Sequence, residues 1–187
     1  PPLAPALGSS PSLNTVDDRL MMSVYRDGSL WTCHNINVNG KVGCRWYEID
    51  VSGPSLIQSG NVGDPVFSYW MPSIMVNKQG DVVMGFSGSH SGIYAGCYYT
   101  GRYATDPAGE MATPVQFKAG TGQHNLIDGA NRNRWGDYSY TTLDPSDDTT
   151  FWTIQEYAEA TDIWGTYIAA ATYNEADCNG HSVIDET

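Results

Sequence analysis

The sequence has 187 residues and a formal net charge of −12, from 21 acidic and 9 basic residues. This negative charge repels phosphate backbones and anionic lipid surfaces, which argues against nucleic acid as a partner. Hydrophobic residues make up 41% of the chain and aromatic residues 12%, so a packed core is expected and disorder is not. The longest apolar run, residues 167–173, is far shorter than the roughly 20 residues of a membrane helix, so no membrane insertion is predicted.

The first segment, residues 1–17, is rich in proline. Its four prolines are Pro1, Pro2, Pro5 and Pro11, a composition typical of a linker or an extended arm. The sequence opens without a basic and then apolar leader, so we expect any export signal to have been removed or to lie outside it. The chain is therefore expected to be a piece of a larger exported polypeptide.

From residue 18 onwards one pattern occurs three times: a strand, a polar turn, an aromatic-rich strand, a second turn and a third strand. Abundant Tyr, Trp, Thr and Val with 20 glycines favour strands joined by tight turns. Asp27-Gly28 and Asn39-Gly40 are strong hairpin signals. The predicted strands are 19–26, 29–36, 42–50 and 55–59 in the first copy, 69–77, 81–88, 93–101 and 114–118 in the second, and 135–143, 149–157 and 164–172 in the third.

Four antiparallel strands in a repeat are the architecture of a β-propeller blade. We therefore predict an all-β fold of three four-stranded antiparallel blades, at about 18–60, 61–119 and 120–172, followed by a tail at 173–187. A closed propeller takes about 4–8 blades, so three are incomplete alone. Either other segments of a longer precursor complete the ring, or identical chains combine, since two arcs of three would make six blades.

Four cysteines permit disulfides in an oxidising compartment. Cys33 and Cys44 flank the second hairpin turn, so they share one face of the predicted sheet and lie diagonally close, which predicts a Cys33–Cys44 disulfide. Cys97 is then left to pair with Cys178. The alternative for each is a buried free thiol that packs as a small apolar side chain.

Four segments carry a resemblance to a known family. They are Tyr69-Trp70-Met71-Pro72-Ser73, Arg134-Trp135-Gly136-Asp137-Tyr138-Ser139, Leu143-Asp144-Pro145 and Thr150-Phe151-Trp152. The last three resemble the C-terminal blades of bacterial secreted sialidase-like (BNR-type) β-propeller proteins, and so does the first. The resemblance covers roughly residues 18–172 and implies an exported propeller, extracellular or at the cell surface. Sialidase chemistry is not implied, because the six arginines are scattered and no S-x-D-x-G-x-T-W box is present.

A ligand site is predicted at the start of the third copy. Arg134, Trp135, Asp137 and Tyr138 begin its innermost strand, where propeller blades approach the central channel. A charged pair beside exposed aromatic rings suits a polar ligand such as a sugar. The alternative is a structural ion pair between Arg134 and Asp137, with the aromatic rings packed between neighbouring sheets.

The tail carries a second resemblance. Its segment Asp177-Cys178-Asn179-Gly180-His181-Ser182-Val183-Ile184-Asp185-Glu186 is similar to the calcium loops of dockerin-like and thrombospondin-type-3 repeats. The resemblance implies Ca²⁺ ligands at Asp177, Asn179 and Asp185 and at the backbone carbonyl of Val183. His181 and Ser182 depart from the pattern, and a polar disordered end is the alternative.

These features together predict a non-catalytic extracellular module for adhesion, carbohydrate or protein binding, or surface assembly. It requires no cofactor, although the resemblance of the tail allows Ca²⁺ binding. Its partners are itself, the remaining blades of a longer precursor, or glycans. Two alternatives stay open. One is the C-terminal part of a sialidase-like glycoside hydrolase, with carboxylates such as Glu48, Asp137 or Glu156 facing the channel. The other is a structural subunit of an extracellular ring or filament.

Overall fold

The computed structural model describes residues 1–173 and the short strand Val183–Asp185. In this part of the chain every long regular element is a β-strand, and no helix there could cross a membrane. The strands form three antiparallel sheets, in each of which neighbouring strands follow one another in the chain. The prediction of an all-β fold with three successive antiparallel sheets is therefore confirmed.

Each sheet corresponds to one copy of the sequence repeat. Sheet 1 consists of β1 (Leu20–Arg26), β2 (Ser29–Val38), β3 (Lys41–Asp50) and β4 (Ser55–Val62). Sheet 2 consists of β5 (Ser68–Val76), β6 (Val82–Ser89), β7 (Gly96–Arg102) and β8 (Val115–Lys118). Sheet 3 consists of β9 (Tyr140–Leu143), β10 (Phe151–Ala160) and β11 (Ile163–Thr172), with β12 (Val183–Asp185) paired along β11. The predicted outer strands at 55–59 and 114–118 are present as β4 and β8.

The two hairpins of sheet 1 show how local sequence sets the register. Asp27 and Gly28 have φ of 47° and 89°, and Asn39 and Gly40 have φ of 52° and 86°. Positive φ at both central residues defines the two-residue turn whose twist matches that of the flanking strands. The strands accordingly pair right up to both turns.

Sheet 2 lies between the other two sheets and is packed on both faces. Almost every residue of β5, β6 and β7 is buried, so these strands lack the alternation of a half-exposed strand. One core lies between sheets 1 and 2 and a second between sheets 2 and 3. Sheets 1 and 3 therefore each have one packed face and one outer face.

Residues 1–17, for which a linker or an extended arm was predicted, pack against the sheets. Ala4, Leu13 and Thr15 of this segment have no exposed surface. The side chains of Asn35 in β2 and Ser89 in β6 donate hydrogen bonds to its backbone carbonyls at 2.7 and 2.6 Å. The long-range bonds make this segment part of the folded core.

The predicted Cys33–Cys44 disulfide is not formed. Cys33, Cys44 and Cys97 are free, buried thiols, which was the alternative. In the β2–β3 register Cys33 lies opposite Trp46, and Cys44 lies opposite Asn35, so the two cysteines are diagonal neighbours. Diagonal neighbours have a spacing of about 7–8 Å, whereas a disulfide joins Cα atoms about 4.4–6.8 Å apart. Cys178, the predicted partner of Cys97, lies outside the described residues.

Candidate functional site

A cleft of about 190 Å³ opens at the edge of sheet 3, beside the segment that leads into β9. Its walls include His124, Arg134, Trp135, Glu156 and Trp164. Glu156 comes from β10 and Trp164 from β11, whereas the other three residues precede β9. The cleft therefore joins the outer part of sheet 3 to the segment that packs on sheet 2.

The acidic group of this cleft is the carboxylate of Glu156. Burial raises the pKa of Glu156, the backbone N–H of Gly136 donates to the carboxylate and lowers it, and the negative charge of Asp137 raises it again. A Cβ atom on Gly136 would lie 1.8 Å from a carboxylate oxygen of Glu156, so any larger residue there would displace this carboxylate. Among the described residues no cation forms an ion pair with this carboxylate.

The structure places the four predicted ligand residues in different roles. Trp135 is buried, and its indole N–H donates to the Ser87 hydroxyl of sheet 2 at 3.1 Å. Arg134 and Asp137 form an exposed ion pair at 2.8 Å, which was the alternative for these two residues. Tyr138 is 56% exposed and lies beyond the cleft. Arg134 and Trp135 therefore line the cleft, whereas Asp137 and Tyr138 lie close to it.

His124 of the cleft was given no role by the sequence analysis. The ring of His124 lies 4.9 Å from that of Trp135, and its Nε2 is 2.6 Å from the carbonyl oxygen of Arg134. Trp164, which is 54% exposed, forms another part of the cleft wall. The alternation of Trp164, Thr166 and Ile168 in β11 is the signal that places all three on one face.

The outer face of sheet 3 continues from the cleft as an apolar surface. Ile154 of β10 lies opposite both Tyr140 of β9 and Ile168 of β11, so the three side chains form a row across the sheet. Tyr140 and Ile168 are each 55% exposed. We define the sheet-3 face as the outward side chains of the three central strands: Tyr140, Trp152, Ile154, Glu156, Trp164 and Ile168.

The outer face of sheet 1 has a different composition. We define the sheet-1 face by three cross-strand rows: Tyr25–Leu30–Ile49–Leu56, Ser23–Thr32–Tyr47–Ser59 and Leu20–His34–Arg45–Asn61. Tyr25 is 63% exposed and Leu56 is 59% exposed. The guanidinium of Arg45 lies 5.2 Å from the ring centre of Tyr47. This face thus combines an apolar row with a cation, and its three rows contain no carboxylate.

The metal and carboxylate predictions fall elsewhere. Of the predicted calcium ligands, Asp177 and Asn179 lie outside the described residues, and Val183 and Asp185 are in β12, paired with Thr172 and Ala170. Within residues 1–173 no group of three or more His, Cys, Asp or Glu side chains is placed to hold a metal ion.

Glu48, one of the carboxylates considered for a hydrolase, lies in sheet 1. It accepts hydrogen bonds from Ser29 at 2.8 Å and Gln58 at 2.7 Å. It belongs to β3, whereas Glu156 belongs to β10, so the two carboxylates are held by different sheets.

No family model matches this sequence, and no curated protein is significantly similar to it. The class of protein is defined by its architecture: an all-β protein of three stacked antiparallel sheets, whose two outer faces are not covered by any other part of the described chain.

The raised pKa of Glu156 predicts a pH-dependent stability. A carboxyl whose pKa is higher in the folded state stabilises the fold below its unfolded pKa and loses that contribution as the pH rises through the folded pKa. Glu156→Gln cannot ionise, so its free energy of unfolding relative to the wild type should increase between pH 4 and pH 7. Urea unfolding of both proteins in dilute solution measures this, and parallel pH profiles would contradict it.

Proposed function

We propose that this chain is a non-catalytic extracellular module, that its three sheets are blades of a β-propeller, and that it acts by binding a protein surface through the sheet-1 and sheet-3 faces. The observation that carries the proposal is the exposure of large apolar side chains on both outer faces. The extracellular setting follows from the resemblance to secreted propeller proteins and suits the acidic composition of the chain.

The contrast between inner and outer faces supports a binding role. On the inner faces of the same two sheets, Trp31 and Phe151 are buried in the cores that join sheets 1 to 2 and 2 to 3. On the outer faces Tyr25, Leu56 and Ile168 are each more than half exposed. Contiguous apolar side chains at a protein surface are typical of sites where another molecule packs.

The charges on the two faces indicate what the partner offers. The sheet-3 face carries the unpaired carboxylate of Glu156 beside the exposed ring of Trp164, an arrangement that suits a basic side chain. The sheet-1 face offers Arg45, which suits an acidic one. Adhesion, surface assembly and a ring or filament role all use such faces, and Trp164 would also stack on a sugar ring if the partner is a glycan.

A glycoside hydrolase is less well supported. That chemistry needs a second carboxylate facing the first across the scissile bond. The negative charge that reaches Glu156 is that of Asp137, and Asp137 is paired with Arg134 at 2.8 Å. Neither residue is opposed by an arginine cluster of the kind that clamps a sialic acid carboxylate.

The proposal predicts association that depends on the outer faces. The wild-type chain should show a mass above the 20.4 kDa of one copy in light scattering at micromolar concentrations. Ile168→Lys places a charge in the middle of the sheet-3 face and should weaken association at least about tenfold, because a desolvated unpaired charge is costly.

The matched control is Val66→Lys, which places the same charge at an equally exposed position outside both faces, in the loop between β4 and β5. It should leave the mass unchanged. A wild-type chain that stays at 20.4 kDa, or equal effects of the two lysines, would contradict the proposal.

A further inference from the structure

We infer that the partner of both faces is a second copy of this chain: the sheet-3 face of each copy packs on the sheet-1 face of the other, and the two contacts close a ring of six sheets. This inference rests on the proposed function and names its partner. It follows from the way the three sheets already pack on one another.

The three sheets of the chain are stacked in the same orientation. Each sheet turns one face towards the sheet that follows it. In sheet 1 this face includes Trp31, which packs in one core with Val82 of sheet 2. In sheet 2 it includes Val83, which packs with Phe151 of sheet 3. Since Phe151 faces back towards sheet 2, its neighbour in β10, Trp152, faces forward, where a fourth sheet would lie.

One position on each of these forward faces carries a hydrogen-bonding side chain. Four residues after Trp31, Val83 and Trp152 come Asn35, Ser87 and Glu156. The side-chain oxygen of Asn35 accepts a bond from the backbone N–H of Met71 at 2.9 Å. The hydroxyl of Ser87 accepts a bond from the indole N–H of Trp135 at 3.1 Å.

Both donors belong to the start of the following sheet, since Met71 lies in β5 and Trp135 precedes β9. Glu156 occupies the third such position. Its carboxylate accepts a bond from the backbone N–H of Gly136, in the segment before β9, and no following sheet exists within the described chain to supply a further donor. The position is thus an acceptor that faces the place of a fourth sheet.

The sheet-1 face carries a hydrogen-bond donor that is complementary to Glu156. The contact between sheets 2 and 3 shows which residues of two consecutive sheets lie side by side. Gly85 of sheet 2 lies against Thr153 and Gln155 of sheet 3. Ser87 is two residues further along β6, so it lies beside Gln155. Gln155 is four residues after Phe151, which faces backward. Counting the same four residues from Leu30 on the backward face of sheet 1 gives His34.

His34 lies opposite Arg45 in the β2–β3 register. Suppose that sheet 1 of a second copy stacks on sheet 3 in the same way as sheet 3 stacks on sheet 2. His34 and Arg45 of that second copy then lie beside Glu156 of the first. The Nε atom of Arg45 is buried and has no hydrogen-bond partner among the described residues. The Nη2 atom of Arg45 donates to the Ser59 hydroxyl at 3.4 Å, and among the described residues neither Arg45 nor Glu156 forms an ion pair. A guanidinium without a carboxylate on one face and a carboxylate without a cation on the other therefore meet at the same level of the stack.

The apolar rows fit the same arrangement. Counted in the same way, Trp152 lies next to the row of Leu30 on the sheet-1 face. The row of Ile154 and Ile168 lies next to the rows of Thr32 and His34. Tyr25 and Ile49 extend the row of Leu30 across its sheet. Two copies give six sheets, which lies within the range of about 4–8 blades for closed propellers. The contacts are head-to-tail, and two of them close the ring by a two-fold axis.

Charge reversal with mixing tests the inference. Arg45→Glu and Glu156→Arg should each weaken the two-copy species roughly 30-fold or more, because each sets like charges together at both contacts. Mixed in equal amounts, the two variants form a heterodimer with one native contact and one reversed contact, both of opposite charge. Sedimentation velocity should therefore show the mixture regaining a mass of twice 20.4 kDa that neither variant has alone.

A second pair of variants keeps the test valid if the larger side chain of Glu156→Arg clashes with Gly136 and the variant does not fold. Tyr25→Lys blocks only the sheet-1 face and Ile168→Lys only the sheet-3 face, and both positions are exposed. Each variant alone should be monomeric, whereas their mixture should form an open dimer through the one pair of intact faces. Association of Tyr25→Lys on its own would show that two sheet-3 faces meet and would overturn the head-to-tail ring.

The outcomes separate this inference from the proposed function. If Ile168→Lys abolishes association but neither mixture restores it, the faces bind protein and the second-copy ring is overturned. If the wild-type chain never associates, both proposals are overturned. Recovery of the two-copy mass in the charge-reversed mixture supports both.

Discussion

Replacing Trp46 by alanine is expected to lower the free energy of unfolding by about 3–5 kcal/mol. Trp46 has no exposed surface and lies at the centre of the core between sheets 1 and 2. Its ring stacks on Trp31 with 5.8 Å between centres, and the guanidinium of Arg102 lies 5.8 Å from it. Because Trp46 is fully buried, its truncation loses the burial free energy of the indole and also leaves a cavity. Urea denaturation followed by far-UV circular dichroism measures the change.

The matched control is Trp164→Ala, which removes the same side chain from the sheet-3 face. Because Trp164 is 54% exposed, its loss should cost the single copy less than about 1 kcal/mol. For association the proposed contact predicts that Trp164 matters more than it does for folding. Trp164→Ala should weaken the two-copy species, since the indole ring lies on the face that becomes buried. Equal losses of folding stability in the two variants would contradict the assignment of inner and outer faces.

The positions of the strands were predictable where neighbouring residues in the sequence determine the turns between them. Asp27-Gly28 and Asn39-Gly40 specify two-residue turns by themselves, because few other residues adopt positive φ at both places. From these turns the register of β2 with β3, and of β1 with β2 from Met22 to Arg26, follows residue by residue. The sequence also indicated that Cys33 and Cys44 are diagonal neighbours, and the disulfide prediction was wrong because that diagonal spacing exceeds the reach of a disulfide.

Segments held by long-range contacts were not predictable in this way. The residues from Trp135 to Ser139 were assigned to a strand, but they bond to sheet 2, where Ser139 donates to the Met71 carbonyl at 2.7 Å. The proline-rich segment 1–17 has the composition of a linker, but composition does not reveal that Asn35 and Ser89 have acceptors there. The pairing of β12 with β11 likewise needs the folded chain, because a three-residue strand has no pattern of its own.

The candidate site was predictable in part. The sequence placed Arg134 and Trp135 near a ligand position, and both line the cleft. It named Glu156 only as one carboxylate of a hydrolase. Alternation along β10 puts Glu156 on the same face as Ile154, but the cradle formed by Gly136 becomes visible only when the segment before β9 packs against β10.

Asn35→Ala is expected to destabilise the chain by about 2–4 kcal/mol, because it leaves two buried backbone groups without partners. Asn35 has no exposed surface. Its amide donates to the Thr15 carbonyl at 2.7 Å, and its side-chain oxygen accepts from the Met71 N–H at 2.9 Å. The bonds tie the first segment to sheet 1 and sheet 1 to sheet 2, so thermal unfolding and amide hydrogen exchange at Met71 should both respond.

Asn37→Ala is the control, since Asn37 is exposed on the same strand and accepts only a turn bond from the N–H of Gly40. It should cost less than about 1 kcal/mol and leave the exchange of the Met71 amide unchanged. If Asn35→Ala left that exchange unchanged as well, the side chain at this position would not join consecutive sheets. The corresponding position of Glu156 would then no longer indicate where a following sheet lies, and the ring would rest on the charge-reversal result alone.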